Sequence, residues 1–334
     1  MTGNLRALFA AFAIVVLSGL CGCSPTRYGQ RPGDPLMRCG DEIVAAGRFF
    51  HTGTPVVLWM DPGGYDAYRC RRHFEPELIM PHTPAAPLDP NRYGTRRNLP
   101  KDVEERIKDR GWSLDEARRV VDQFVIHYDA CGTSARCFKV LHDLRGLSVH
   151  FLLDIDGTVY QTLDLKERAW HAGTANDRSL GVEIAHIGAY GDMKTLDEWY
   201  AKDLFGWPYV SPPKWVKERR VRTPWFMGRA ARKEVVTGNI NGRDLMQYDF
   251  TCEQYDALIK LTAALNRIFP RLRLDYPRGN DGRVRTEVFS EQELAAWSGL
   301  LGHMHVTKEK IDPGPAFDWD RVVEGARRER GTTW

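Results

Sequence analysis

The chain of 334 residues carries 47 Lys and Arg against 44 Asp and Glu, a formal net charge of +3. So small an excess, with no basic helix set among aromatic platforms, excludes nucleic acid as the expected partner. Beyond an N-terminal export segment about 310 residues remain, enough for a full hydrophobic core and one large domain with additions.

Residues 1–22 place Arg6 ahead of an apolar run, Ala7 to Leu17, followed by small residues, the pattern of an export signal. The run is about half the roughly 20 apolar residues that span a bilayer, so the segment is expected to be removed. In Leu20-Cys21-Gly22-Cys23, Cys23 has Leu three before it and Gly one before it, a pattern similar to the lipobox of bacterial lipoproteins. Cys23 is therefore the expected lipidation site, anchoring an exported lipoprotein to a membrane on the periplasmic side, with the outer membrane the expected one. An ordinary secretory signal with two incidental cysteines is the alternative.

Residues 23–80 form an N-terminal segment to which no chemistry is assigned. Its strand candidate is Thr54 to Met60, ended by the turn residues Asp61-Pro62-Gly63-Gly64. Over 81–100, Pro81, Pro84, Pro87, Pro90 and Pro100 exclude helix and predict an extended surface connection. A catalytic domain is expected over 101–325. Ser113-Leu114-Asp115-Glu116 has capping-box spacing and opens a short helix that leads into the apolar strand Phe124 to Ile126.

The runs Val149 to Asp154 and Thr158 to Leu163 flank Ile155-Asp156-Gly157, a hairpin signal; the twelve-residue pattern of a calcium loop is absent. Leu180 to Ala185 reads as another strand, with Glu183 conspicuous in it because an unpaired carboxylate is rarely buried. From about 190 to 247, Trp199, Trp207, Trp215 and Trp225 alternate with prolines and basic residues, an insertion that either stacks glycan or packs a satellite core. Thr251-Cys252-Glu253-Gln254 repeats the capping-box form ahead of an apolar-periodic helix, Tyr255 to Ile268. Strands followed by long flanking helices give an α/β fold.

Metal-binding chemistry is written into Gly302-His303-Met304-His305 and Ile311-Asp312-Pro313-Gly314. His303 and Asp312 lie nine positions apart, and the kink-forming Pro313-Gly314 lets a loop bring them to one ion. The candidate third ligand is His127, at the end of the Phe124 strand. Two His and one Asp suit a single zinc and leave a fourth position open, the arrangement of a catalytic site.

In order, Ile126-His127-Tyr128, Ser148-Val149-His150-Phe151 with Asp156-Gly157-Thr158-Val159-Tyr160-Gln161, Trp170-His171-Ala172-Gly173, Ser179-Leu180-Gly181-Val182-Glu183 and Gly302-His303 with Asp312-Pro313-Gly314 occupy Phe124 to Trp319. This ordered set resembles the type-2 N-acetylmuramoyl-L-alanine amidases, relatives of phage lysozyme amidases and peptidoglycan recognition proteins. The resemblance implies a mixed central β-sheet flanked by α-helices and zinc on His127, His303 and Asp312. It also implies catalytic Glu183 and Lys310, a substrate contact at His171 and a structural His150. The implied reaction is hydrolysis of the amide between N-acetylmuramic acid and L-alanine in peptidoglycan or muropeptides. A non-catalytic peptidoglycan-binding lipoprotein of the same fold is the alternative.

Cys131 and Cys137 follow His127 in a pattern similar to a disulfide of peptidoglycan recognition proteins, so the resemblance implies that bridge. Cys39 with Cys70 is the second pairing considered, leaving Cys252 free. The motif also departs from that of bacterial relatives. His305 stands where they carry an acidic residue, and the loop to Asp312 is one residue shorter. On an extended segment His305 would point the same way as His303 and compete as ligand.

Overall fold

The computed structural model describes residues 32–74 and 92–331. The export segment, Cys23, Pro81, Pro84, Pro87 and Pro90 lie outside these residues. The chain divides into Met1–Met37 and Arg38–Trp334, and the second unit holds all the elements below. No helix among the described residues is long and apolar enough to cross a membrane.

The first elements form a hairpin of β1 (Glu42–Ala45) and β2 (Arg48–His51), joined by Ala46 and Gly47 at φ 49° and 72°, a two-residue turn whose twist suits antiparallel strands. β3 (Val56–Leu58) is buried throughout. It pairs with Val159–Gln161, so the segment ahead of residue 101 supplies an edge of the main sheet. β4 (Tyr93–Gly94) follows. In the described part of the expected connection, 92–100, Arg92 and Arg96 are among the largest fully buried side chains. Arg96 donates to the carbonyls of Leu165 and Ser179, each at 2.9 Å. A guanidinium's five donors can be spent on carbonyls in this way without any apolar pattern that would announce burial.

α1 (Lys101–Arg110) and α2 (Leu114–Val120) come next, Ser113 accepting the Asp115 N–H at the start of α2. β5 (Gln123–Tyr128) leads to α3 (Ser134–Phe138), capped by Thr133, and a π-helical turn over Lys139–Leu144. β6 (Phe151–Leu153) and β7 (Val159–Gln161) are the expected hairpin, antiparallel, with Gly157 at φ 79° in the turn. β8 (Arg168–Ala169) pairs with β4, and a short 3-10 turn over Gly173–Asp177 precedes β9 (Ser179–Ile184).

The insertion contains α4 (Lys194–Trp199), the hairpin β10 (Tyr200–Lys202) with β11 (Pro208–Val210), and the hairpin β12 (Val236–Ile240) with β13 (Arg243–Gln247). It builds a satellite core from Ile187, Leu196, Trp199, Val216 and Tyr248. α5 (Cys252–Ile268) starts at the capping box of Thr251 and Gln254. α6 (Glu291–Ala296), β14 (Gly299–Gly302), α7 (His303–Val306) and α8 (Trp319–Gly331) complete the chain.

The main sheet has six strands in the order β14-β5-β9-β6-β7-β3. β14, β5, β9 and β6 run parallel, β7 is antiparallel to β6, and β3 is parallel to β7, so the sheet is mixed. The parallel centre is covered on both faces, which explains the unbroken apolar run Phe124, Val125, Ile126. Leu258, Leu261 and Leu265 of α5, with Val322 and Val323 of α8, share one core with Phe124, Ile126 and Val182.

Candidate active site

Three parallel strands end at the site. Ile126 of β5 stands opposite Gly302 of β14, and His127 stands opposite Glu183 of β9. Side chains alternate along a strand between the two faces of the sheet. Phe124, Ile126, Leu180 and Val182 pack in the core with α5 and α8, whereas Val125 and Leu301 belong to a separate cluster with Ala172 and Ala175. His127, Glu183 and His303 continue that second pattern side by side, at the carboxyl ends of the strands, where open α/β sheets collect ligands.

Asp312 is returned to the strands by the loop after α7, tied down by the Met304 N–H donating to the Asp312 carbonyl at 3.0 Å. His127 Nδ1 lies 3.0 Å from His303 Nδ1 and 2.9 Å from Asp312 Oδ2, and His303 Nδ1 lies 3.1 Å from that same oxygen. All three residues are buried. Two imidazole nitrogens and a carboxylate oxygen at the corners of one near-equilateral triangle offer more lone pairs than one proton can satisfy. Ligands about 2.0–2.1 Å from a tetrahedral zinc stand about 3.3 Å apart, so the donor set fits that ion with three protein ligands and a fourth place left.

The electrostatics favour the metal-binding forms. Burial, then the neighbouring His303, pushes His127 down to about 4, leaving its ring neutral at pH 7. Burial by itself would raise the Asp312 carboxyl, but the two imidazoles against it, His303 first, hold it well below the usual carboxylate range. Glu183 is only 9% exposed. Burial pushes its carboxyl well above the ordinary range, reinforced by Asp312 and Asp129 and opposed by Lys310. Lys310, half-buried beside Asp312, lines the same cleft of about 330 Å³ as Glu183, Tyr128 and Arg243. A larger hollow of about 560 Å³ between Arg97, Arg119 and Arg178 collects no comparable donor set.

His171 lines the cleft and also touches a proposed ligand: its Nδ1 is 3.0 Å from His127 Nε2, and its Nε2 is 3.3 Å from Ser179 Oγ. With His127 Nδ1 turned to the other ligands, Nε2 carries the proton and donates to His171, which donates onward to Ser179. Gly181 makes room for this ring, since a Cβ there would stand 2.5 Å from it. The His171 and Ala172 N–H groups both donate to Asn176 Oδ1, which fixes the turn. Sequence reasoning missed Arg96, Asn176 and Gly181 as supports of the site, because none lies in a recognisable ligand pattern.

His305 does not compete as a ligand. The chain is helical at α7, so residues two apart diverge by about 200°. His305 Nδ1 accepts the Gly302 N–H at 2.8 Å, and its Nε2 lies 2.7 Å from the Arg285 carbonyl. His150 is structural as well, accepting the Gly181 N–H at Nδ1 and facing the Glu167 carbonyl at Nε2.

The implied Cys131–Cys137 bridge is not formed. Both are buried free thiols, hydrogen-bonded to each other, and Cys39, Cys70 and Cys252 are free and exposed. Burial pushes the Cys137 thiol up, and the protonated thiol is the unreactive form. Cys39, Asp41, Glu42 and His51 form a second group of donors, but the Cys39, Gly40 and Gly53 N–H groups and the His51 ring already occupy its carboxylates, so it is read as turn chemistry.

The family model described as N-acetylmuramoyl-L-alanine amidase matches residues 117–315, more than half of the chain and every residue of the cleft named above. The chain belongs to this amidase family. Among curated proteins, 1,6-anhydro-N-acetylmuramyl-L-alanine amidase AmpD of Haemophilus influenzae is 21% identical over 192 residues, covering 57% of this chain. The chain spans 64% of the length of that relative. A solved AmpD derivative is similar at a TM-score of 0.33 and 17% identity, over 75% of this chain and 98% of the other. AmiD from E. coli, solved with anhydro-N-acetylmuramic acid-L-Ala-D-gamma-Glu-L-Lys as its substrate, is similar at 0.34 and 18% identity, over 61% and 57%. Glu183 and Lys310 beside the His-His-Asp triangle, like the His171 to Ser179 contact, are read from the geometry.

Proposed function

We propose that the protein is a zinc-dependent hydrolase that cleaves the amide between N-acetylmuramic acid and L-alanine in peptidoglycan or muropeptides. The observation that carries this reading is the His127, His303 and Asp312 triangle with Glu183 in register beside it. Membership of the amidase family supports the bond class.

His127, His303 and Asp312 would hold the ion. When bound, zinc supplies Lewis acidity that brings the ionisation of water to near pH 7. Glu183 accepts the proton of the attacking water, its raised affinity for protons suiting it to keep that proton and pass it to the leaving nitrogen. Lys310 places positive charge where the carbonyl oxygen turns anionic. His171 holds the His127 ring in the tautomer that leaves Nδ1 free. The products are a free lactyl carboxylate on the sugar and a stem peptide with a free L-alanine amine.

The test is release of free stem peptide from purified muropeptides and from intact sacculi, read by chromatography, with the metal content of the same preparation. Zinc near one per chain with peptide release is expected. Protein that binds muropeptide at full zinc content but releases no peptide would instead be a receptor. We further propose export and lipidation at Cys23, supported by the pattern of residues 1–23; mass spectrometry of the mature N-terminus tests it.

A further inference from the structure

Residues 202–233 of the insertion carry nine Lys and Arg against two Asp and Glu, a net of +7 in a chain whose total is +3. Internal pairing consumes little of this. Arg229 pairs with Asp203 and Arg232 with Asp249, while Glu218 is taken by Lys139. Seven exposed cations are left without an acidic partner among the described residues, Arg219, Arg220, Arg222 and Lys233 among them.

The same segment turns large apolar side chains outward. Leu204 and Trp225 are each 100% exposed, Phe205 is 77% exposed, and Trp215 and Met227 are each 54% exposed. Leu204 and Phe205 sit at the tip of the β10–β11 hairpin. There Asp203 Oδ1 accepts the N–H groups of Phe205 and Trp207, each at 2.9 Å, so the turn is braced through the backbone while both side chains stay out. Lys233 reaches this tip, its Cε 3.3 Å from where a Cβ on Gly206 would stand. Trp225 has φ 60°, a region that bulky side chains rarely adopt, and gains no burial from it. The satellite core is built without Leu204, Phe205, Trp225 or Met227, while Trp215 packs edge-on against its Trp199.

We propose that residues 202–233 dock on an anionic lipid bilayer, with Leu204 and Phe205 entering the headgroup boundary while the unpaired cations meet lipid phosphates. The combination selects this occupant. Sugar rings would use the aromatic faces but give no role to Leu204 or Met227, and a soluble polyanion would use the cations but give no role to any exposed apolar side chain. A bilayer interface uses both. Docking would hold the cleft close to a membrane surface without any contribution from the N-terminal residues.

The Arg38–Trp334 unit, which contains all four hydrophobic clusters, is the protein to test, since no N-terminal lipid can then contribute. Its partition is measured by co-sedimentation with vesicles of phosphatidylglycerol and phosphatidylethanolamine, and with vesicles of phosphatidylcholine alone, at low and high salt. Binding to the anionic vesicles is expected to exceed binding to the neutral ones and to weaken with salt. Each cation near an anionic leaflet contributes about fivefold, so Arg219→Gln, Arg220→Gln and Arg222→Gln together should lower partition on the order of 100-fold. Leu204→Asp with Phe205→Asp should lower it at least about tenfold. All are surface changes, and an unaltered thermal midpoint confirms the fold. Equal partition onto both vesicle types, or none onto either, overturns the proposal. Sacculus binding lost in Trp225→Ala, without vesicle binding in the parent, would give the surface to glycan instead.

Discussion

His127 and Glu183 are register partners in the parallel β5–β9 ladder, so the ring proposed to hold a metal and the carboxyl proposed to move a proton stand on adjacent strands of one face. Neither depends on a flexible loop for its place. Cross-strand neighbours are about 5 Å apart at their Cβ atoms, close enough for one water to be shared between an ion on His127 and the Glu183 carboxyl.

The carboxyl is the place to separate hydrolysis from binding. Glu183→Gln keeps the side-chain shape but cannot take a proton, and positioned acid-base groups contribute about 10²- to 10⁴-fold. kcat for stem-peptide release should fall by that order while zinc content and muropeptide affinity stay near wild type. Full turnover in this variant would remove Glu183 from the mechanism.

Two histidines of one short helix should behave oppositely. His303→Ala deletes a corner of the donor triangle and should lose stoichiometric zinc. His305→Ala should keep zinc but lose stability, because the Gly302 N–H and the Arg285 carbonyl are left unpaired at about 1–3 kcal/mol each. Metal analysis and urea unfolding of both variants check this, and zinc loss in His305→Ala alone would reverse the assignment.

His171 is predicted to act on the metal before it acts on substrate. Its contact with His127 Nε2 orients a ligand, and removing such a partner typically weakens metal affinity about 10- to 100-fold. Competition with a chelator should show that loss in His171→Ala. Unchanged zinc affinity with a raised KM would return His171 to a purely substrate-contacting role.

Asp154 gives the fold a pH dependence of its own. Its Oδ1 accepts the Ile155 N–H at 2.9 Å, whereas Oδ2 is buried without a partner. Burial pushes the carboxyl up to about 8, against about 3.9 in an unfolded chain. Between those values the folded state holds a proton that the unfolded state has released, so stability falls as pH rises from about 4 to about 8 and then levels. Asp154→Asn removes this slope of about 1.4 kcal/mol per pH unit. The variant should be the more stable protein at pH 8, with the difference closing toward about pH 4 in denaturant midpoints. A difference that grew toward acid would contradict the assignment.

The sequence by itself determined the local pieces: the apolar run into His127, the Asp156-Gly157 hairpin, the Thr251 capping box, and the spacing that lets His303 and Asp312 share one ion. Each depends on neighbours within about a dozen residues, and periodicity and turn chemistry report such neighbours directly. Only the tertiary structure decided between His303 and His305, because helix or strand at Gly302 sets which ring faces Asp312, and four residues are too few for a period to show. It also decided that β3, from the segment with no assigned chemistry, closes the edge of the main sheet, and that Arg96 lies buried beneath the turn carrying His171. Strand pairing and carbonyl-satisfying guanidinium bonds join residues far apart in the chain, and neither leaves a local pattern, because the partner that stabilises them is present only once the chain has folded.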